Sequence, residues 1–189
     1  MRFIPREEGV KRVEKTLESK SIYKGRVISL RLDSVQLDSG KKAYREIVEH
    51  PGTVGIIPLK GNGDLILVKQ YRKAVEEYLL ELPAGKLEAG EDPGECAARE
   101  LKEETGYRAR NIRYVSSFYT SPGFSNEVMH VFIATGLEYD EKKPDEDEII
   151  KIIEINHEEA LDMALNGKLR DAKTITGILL LSMIKNDMT

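Results

Sequence analysis

The composition of the chain limits the kinds of protein it is expected to be. Its 189 residues suffice for one domain with a substantial core, and 40% hydrophobic and 33% charged residues are typical of globular proteins. The net charge of −4, without a clustered basic face, argues against nucleic-acid binding. No apolar run reaches the roughly 18 residues of a membrane span, no secretory signal is evident, and the single cysteine excludes an internal disulfide, so we expect a cytoplasmic protein.

The first predicted elements are strands. Apolar residues tend to alternate along 23–49 around a central turn, which predicts an antiparallel hairpin. A short apolar run at 53–59 predicts a buried strand, and the run at 65–70 is expected to return as its hairpin partner. The stretch 79–83 is expected to be another short strand that leads into a glycine-rich loop.

A helix from 93 to 105 is predicted by the residues at its two ends. Asp92 is the expected N-cap, Pro93 suits the first helical position, and Glu95 is expected to reach back as the acid of a capping box. Gly106 supplies a left-handed residue that ends the helix.

Strands and then helices complete the chain. The strands are predicted at 112–119, 128–135 and 149–155, and the helices at 157–165 and 172–184. This order of elements predicts a mixed sheet that is covered on both faces.

The predicted helix carries three acids near its end. Glu100, Glu103 and Glu104 share one face, where like charges repel and oppose the helix dipole. Such a face is most often solvated surface. The alternative is that a cation lies among the acids, since bunched carboxylate oxygens suit a hard divalent ion such as Mg²⁺ or Mn²⁺.

The residues around this cluster follow a fixed spacing. In order they are Gly85, five residues, Glu91, seven residues, Arg99-Glu100-Leu101, one residue, Glu103-Glu104, one residue and Gly106-Tyr107. This pattern resembles the Nudix box of the Nudix hydrolase family at each defined position. The resemblance implies an α+β fold, an α/β/α sandwich with a mixed β-sheet, and hydrolysis of a nucleoside diphosphate linked to another moiety.

The resemblance also implies roles for single residues. Glu100 and Glu104 are expected to bind the metal directly, Glu103 is expected to be a further ligand or a water contact in catalysis, and Arg99 is expected to orient a carboxylate. The main-chain carbonyl of Ala84 is expected to join the metal sphere. The expected cofactor is Mg²⁺, with Mn²⁺ as a substitute.

Substrate residues are expected outside the box. The run Gln70-Tyr71-Arg72 and the placement of Pro122 and Gly123 are similar to the ADP-ribose pyrophosphatase subgroup. By that resemblance, Arg72 and Arg45 contact adenine, ribose or phosphate, and the turn at 122–123 shapes a loop over the terminal ribose. The alternatives are a surface ion pair for Arg45, a core position for Tyr71 and an ordinary turn at 122–123.

An acidic run at 145–148 is the expected source of a general base. Glu148 is the first choice and Glu146 the second, acting as the base or as a further metal contact. A solvated loop is the alternative for the whole run.

The expected reaction is ADP-ribose + H₂O → AMP + ribose 5-phosphate. We expect residues 50–189 to form the catalytic domain, and 1–49 to form a β-hairpin region that is exchanged between the subunits of a homodimer. The alternatives are hydrolysis of another nucleoside diphosphate derivative, such as a nucleotide sugar, dinucleotide polyphosphate or coenzyme A, and a non-catalytic domain that binds nucleotides.

Overall fold

A computed structural model describes residues 14–140 and 150–186. These residues form ten strands and three helices. In chain order they are β1 (Glu14–Lys24), β2 (Ser29–Leu37), β3 (Lys42–Glu49), β4 (Thr53–Pro58), β5 (Asp64–Arg72), β6 (Glu77–Glu81), β7 (Ala84–Lys86), α1 (Pro93–Thr105), β8 (Tyr107–Tyr119), β9 (Val128–Tyr139), β10 (Lys151–Asn156), α2 (His157–Leu165) and α3 (Ala172–Asn186). None of the helices in this part of the chain combines the length and apolar character that crossing a membrane requires.

The chain divides into two compact units, of which the first contains the residues up to His50 together with Ser121–Glu127. Its sheet is antiparallel in the order β1-β2-β3. β2 and β3 form the hairpin predicted within 23–49, with Leu32 opposite Glu46. The sequence does not predict most of β1, because nearly all its side chains are exposed and no buried alternation marks it.

The second unit contains Pro51–Thr120 and the chain from Val128 onward. One of its sheets has the order β7-β4-β9-β8, and it is mixed because β4 runs parallel to β9 while the other pairs are antiparallel. The other sheet is antiparallel in the order β10-β5-β6.

The predicted hairpin between 53–59 and 65–70 is wrong. Leu59 and Leu65 form only a single bridge, after which the two strands enter different sheets. β4 pairs with β7 and β9, whereas β5 pairs with β6 and β10. A run of apolar residues indicates that a strand is buried, but the partners of that strand come from distant parts of the chain.

The side chains of β4 alternate between two apolar clusters on opposite faces of the mixed sheet. Val54 and Ile56 pack with α1 residues such as Leu101. Ile57 belongs to the other cluster, which includes Ile178 of α3 and residues of α2. Helices therefore lie against both faces of the mixed sheet, which confirms the predicted sandwich.

Helix α1 has the bounds predicted from its end residues. The Asp92 carboxylate accepts hydrogen bonds from the amides of Gly94, over 2.8 Å, and Glu95, over 3.4 Å. Gly106 has a φ of 74°, and its amide donates to the Lys102 carbonyl over 2.8 Å. The capping-box role of Glu95 is wrong, because no hydrogen bond within the described residues joins its carboxylate to the Asp92 amide; Asp92 alone caps the helix.

Candidate active site

A pocket lies where strand β7 meets the second half of α1. Its lining consists of Ala84, Gly85, Lys86, Arg99, Glu100, Glu103 and Glu104. The structure thus brings together Ala84, Glu100, Glu103 and Glu104, which the resemblance to the Nudix box predicts as metal contacts, with Arg99 among them. Lys86 also lines the pocket, although the sequence analysis did not predict it. Its position directly after Gly85 is the sequence feature that could have indicated it.

Arg99 organises the carboxylates of this pocket. Its Nη1 donates to Glu100 over 2.7 Å and to Glu103 over 3.0 Å. Its Nε and Nη2 form a bidentate pair with Glu91, over 2.9 and 3.0 Å. These contacts raise the pKa of Arg99, with the hydrogen bonds to Glu91 as the largest cause. The guanidinium therefore places a positive charge between carboxylates that would otherwise repel one another.

Glu91 stabilises the loop before α1. Its carboxylate accepts the amide of Glu88 over 2.9 Å in addition to the Arg99 pair. Hydrogen bonds from Arg99, and then from the Glu88 backbone, lower the pKa of Glu91 from 4.5 to about 2. Glu91 thus holds Arg99 from the side opposite the helix acids.

Buried Cys96 lies beside the same guanidinium, with its sulfur 3.3 Å from Nη2 of Arg99. Burial, followed by its contact with Glu91, raises the pKa of Cys96 to about 12. The thiol therefore stays protonated at neutral pH and adds no charge to the site.

Gly85 provides the space that the Glu100 carboxylate occupies. A Cβ atom built on Gly85 would lie 1.8 Å from the carboxyl carbon of Glu100. The requirement for glycine is therefore a close approach, whereas Gly90, with a φ of 81°, is required by a sharp turn.

Glu104 joins α1 to β7, the strand in which the box begins. It is only 6% exposed, and its Oε2 accepts the amide of Ala84 over 3.1 Å. Next to this contact, the Ile56 amide donates to the Pro83 carbonyl over 2.9 Å. The predicted metal contacts Ala84 and Glu104 are therefore fixed to each other by a direct hydrogen bond.

The chemistry of the pocket fits a divalent cation. Its carboxylates are hard oxygen donors, and the residues that carry them line one concave surface. Among residues 14–140 and 150–186, no three acidic, histidine or cysteine side chains are already grouped as a metal site. The carboxylates are instead held by protein donors, because Arg99 pairs with Glu100 and Glu103 while the Ala84 amide binds Glu104.

Two predicted substrate residues lie at the end of β5. Arg72 forms a bidentate ion pair with Glu81, and its side chain is 40% exposed. Tyr71 is 46% exposed and packs edge-on against Tyr78, with ring centroids 5.4 Å apart. Tyr71 is therefore not a core residue, which removes the structural alternative for it.

The other predicted substrate residues belong to the first compact unit. Arg45 pairs with Glu14, and its guanidinium also donates to the Tyr44 carbonyl over 2.9 Å. Pro122 and Gly123 lie in a turn that the Phe124 amide closes by donating to the carbonyl of Ser121 over 3.1 Å.

Both candidates for the general base, Glu146 and Glu148, lie outside the described residues. Sequence reasoning missed Glu81, which is buried beside the site. The available signal was an acidic residue between apolar neighbours, since Leu80 precedes Glu81 and Leu82 follows it.

Comparison with known proteins places the chain in a family. Residues 49–176 match the family model of the NUDIX domain. The chain belongs to the Nudix family of hydrolases. The Nudix box expected at 85–107 lies inside the matched region. Residues 14–48 match a second model, described as the nucleoside diphosphate sugar hydrolase N-terminal domain.

Relatives of this Nudix protein are similar over most of their length. An ADP-ribose pyrophosphatase of Bacillus subtilis is 46% identical over 167 residues, which cover 87% of this chain and 90% of the relative. A methanol dehydrogenase activator of Bacillus methanolicus is 43% identical over 167 residues, with coverages of 87% and 90%. Among solved structures, the crystal structure of an ADP compounds hydrolase superposes with a TM-score of 0.82 at 21% identity, covering 93% of this chain and 95% of the other. This structure shows that the Nudix fold is shared.

Proposed function

We propose that this Nudix hydrolase cleaves the diphosphate of ADP-ribose with water, which yields AMP and ribose 5-phosphate. The observation that carries the proposal is the 46% identity, over 87% of this chain, to the ADP-ribose pyrophosphatase of B. subtilis. The pocket supports it, because the acids of the Nudix box line one surface with Arg99 and Lys86.

The metal that we propose for this site is Mg²⁺, with Mn²⁺ as a substitute. Glu100 and Glu104 would hold it directly, and Glu103 and the Ala84 carbonyl would complete the set. When bound there, the cation supplies the Lewis acidity and positive charge that a diphosphate requires for attack by water.

Arg99 has a positioning role in this proposal. Its Nη1 bridges Glu100 and Glu103, so it sets the separation between their carboxylates. Glu91 anchors the opposite side of the guanidinium through two hydrogen bonds. Loss of this anchor would let Arg99 and the helix acids move, which alters the geometry of the donor set.

Proton transfer is assigned to the acidic run that follows β9. We propose Glu148 as the group that takes a proton from the attacking water, or that adds a metal contact, with Glu146 as the second choice. Comparison of Glu148→Gln with Glu146→Gln tests this choice, since only the loss of the true base should depress kcat strongly.

Substrate contacts are proposed for Arg72, Tyr71, Arg45, Pro122 and Gly123. Arg72 is supported by its partial exposure and by its position at the end of β5, a strand whose residues 65–68 are buried. The exposed ring of Tyr71 suits contact with a base or a sugar. The pairing of Arg45 with Glu14 would have to be exchanged for a substrate contact.

We further propose that the protein acts in the cytoplasm as a homodimer, in which residues 1–49 are exchanged between subunits and 50–189 form the catalytic domain. The single cysteine suits a reducing compartment. The side chains of β1 support the exchange, because a strand with so little buried surface gains stability from a partner.

A second candidate is hydrolysis of another nucleoside diphosphate derivative. The match of residues 14–48 to the N-terminal domain of nucleoside diphosphate sugar hydrolases favours a nucleotide sugar. The same box chemistry would serve, and the difference would come from contacts to the group beyond the diphosphate.

A substrate panel tests the proposal. Purified protein is assayed at one Mg²⁺ concentration with ADP-ribose, GDP-mannose, a diadenosine polyphosphate and coenzyme A. We expect the highest kcat/KM with ADP-ribose and AMP plus ribose 5-phosphate as its products. A higher kcat/KM with any other compound would replace ADP-ribose as the substrate.

A further inference from the structure

A buried carboxylate lies three residues before Ala84, outside the lining of the pocket. Glu81 is 1% exposed and accepts hydrogen bonds from Nε of Arg72 over 2.8 Å and from Nη2 over 2.7 Å. Lys173 of α3 also donates to Oε2 of Glu81. One buried carboxylate is therefore shared by two cations, which is how a charge is tolerated away from water.

Residues at the start of α3 fix the position of Lys173 and of the backbone that follows β6. The Asp171 carboxylate accepts the Thr174 amide over 3.0 Å and its hydroxyl over 2.5 Å, and it lies 3.0 Å from the Lys173 ammonium. The Thr174 hydroxyl in turn accepts the Leu82 amide over 2.7 Å. Helix α3 therefore contacts the side chain of Glu81 through Lys173 and the backbone amide of Leu82 through Thr174.

This network determines how Arg72 is presented. Two nitrogens of the guanidinium are committed to Glu81, whereas Nη1 has no hydrogen-bond partner among the described residues. The pKa of Arg72 is raised, chiefly by its hydrogen bonds to Glu81, and the charge of Glu104 contributes to the rise. Because Glu104 lines the pocket, Arg72 lies within electrostatic range of the candidate metal site.

Lys173 changes the charge balance around Arg72. If Glu81 had Arg72 as its single partner, the pair would be neutral. Because Lys173 shares the same carboxylate, it offsets part of the Glu81 charge beside Arg72, and Asp171 in turn balances Lys173 at 3.0 Å. Burial tends to raise the pKa of Glu81, but Arg72 and Lys173 outweigh it and leave the pKa below its usual range, so the carboxylate stays ionised.

We propose that Glu81 and Lys173 are positioning residues that fix the guanidinium of Arg72 for binding the diphosphate of the substrate. Neither residue lines the pocket, and both act through Arg72. The inference rests on the proposed function, since it concerns recognition of a substrate with two phosphates. It adds α3 to the elements that determine substrate affinity.

The test uses Lys173→Met, which keeps most of the length of the side chain but removes its charge. We expect KM for ADP-ribose to rise about tenfold while kcat changes less than about twofold, because Arg72 contributes to binding in the ground state and the transition state alike. Lys173→Arg should return KM to within about threefold of the wild-type value, since it restores the cation. Exposed Lys168, in the turn before α3, provides a matched control: Lys168→Met should leave KM unchanged.

A direct binding measurement separates this role from a structural one. Calorimetry with ADP-ribose in the presence of EDTA should show Kd weakened in Lys173→Met by about the same factor as KM. If Lys173→Met has the KM and Kd of the wild type, or has a lowered melting temperature with an unchanged KM, the inference is wrong. Neither result would contradict the proposal that the protein hydrolyses ADP-ribose. If the wild-type protein neither binds nor hydrolyses ADP-ribose, the proposed function fails first, and the inference fails with it.

Discussion

At the scale of single residues, Arg99 lies between acids that would otherwise repel one another. Its guanidinium reaches Glu91 on one side and Glu100 and Glu103 on the other. Removing one of these partners should therefore disturb the others. Two predictions follow, one from the lowered pKa of Glu91 and one from the close approach of Gly85 to Glu100.

The pKa of Glu91 predicts how stability depends on pH. Hydrogen bonds from Arg99 and the Glu88 amide lower it from 4.5 to about 2, so the ionised form stabilises the fold at neutral pH. That stabilisation is complete above the usual pKa and is lost as the pH falls toward the lowered one. We expect Glu91→Gln to lower the free energy of unfolding at pH 7, and the difference from wild type to shrink between pH 4.5 and 2.

Urea denaturation at a series of pH values measures this difference. Glu88→Gln is the matched control, because the Glu88 carboxylate lies in the same loop and makes no ion pair with the described residues. We expect its difference from wild type to stay small throughout. A Glu91→Gln difference that is constant with pH would show that the lowered pKa is wrong.

The close approach of Gly85 to Glu100 predicts a strong effect of one methyl group. In Gly85→Ala the new Cβ would lie 1.8 Å from the Glu100 carboxyl carbon, so the side chain must move away from the pocket. We expect a stability loss of about 1 to 3 kcal/mol and a raised Mg²⁺ requirement for activity. Gly61→Ala is the control, since a Cβ there meets nothing within 4 Å. An unchanged Mg²⁺ dependence in Gly85→Ala would remove Glu100 from the metal contacts.

At the scale of elements, α1 depends on its N-cap for stability, and its second half carries the proposed metal contacts. The Asp92 carboxylate accepts two backbone amides of the first turn, which Asp92→Ala would leave without that acceptor. We expect Asp92→Ala to lower the free energy of unfolding by about 1 kcal/mol. Asp92→Asn keeps an acceptor oxygen, so it should cost only a few tenths of a kcal/mol in the same urea titration. Equal losses in both variants would contradict the capping role.

The bounds of α1 were predictable because its signals are local. Asp92, Pro93 and Gly106 each act within a turn of their own position, and both ends agree with the structure. The placement of Arg99 beside the three acids follows from the same helix, since residues three and four apart share a face. The reason for glycine at position 85, in β7, needed the folded structure, because the side chain that fills its space belongs to α1.

Pairings between distant segments were not predictable in this way. β4 has β7 and β9 as neighbours instead of β5, and nothing within its own sequence distinguishes these partners. Strand β1 is nearly all exposed, so it lacks the alternation that marks a half-buried strand. The pairing of Glu81 with Lys173 joins β6 to α3 across 92 residues of chain. Such contacts emerge only when the whole core is packed.

At the scale of the whole molecule, the proposed homodimer predicts a link between association and activity. The strand β1 presents exposed apolar residues, with Leu17 at 42% and Ile22 at 49% exposure, which a partner would cover. We expect sedimentation at micromolar concentration to show a dimer and specific activity to fall on dilution below its dissociation constant. A monomer with full activity would contradict the exchange of 1–49.

The central claim is that carboxylates of the Nudix box hold a divalent cation for hydrolysis of ADP-ribose. Glu104→Gln tests it most directly, because the amide oxygen can still accept the Ala84 amide while the charge is lost. We measure kcat for ADP-ribose across a Mg²⁺ titration, together with the melting temperature. Glu95→Gln, at the exposed start of α1, serves as the control with the same change in charge.

The account predicts that Glu104→Gln keeps a melting temperature close to wild type, loses its thermal shift with Mg²⁺, and turns over ADP-ribose at least about 10²-fold more slowly. Glu95→Gln should retain wild-type turnover. Near-wild-type kcat in Glu104→Gln at every Mg²⁺ concentration would contradict the claim.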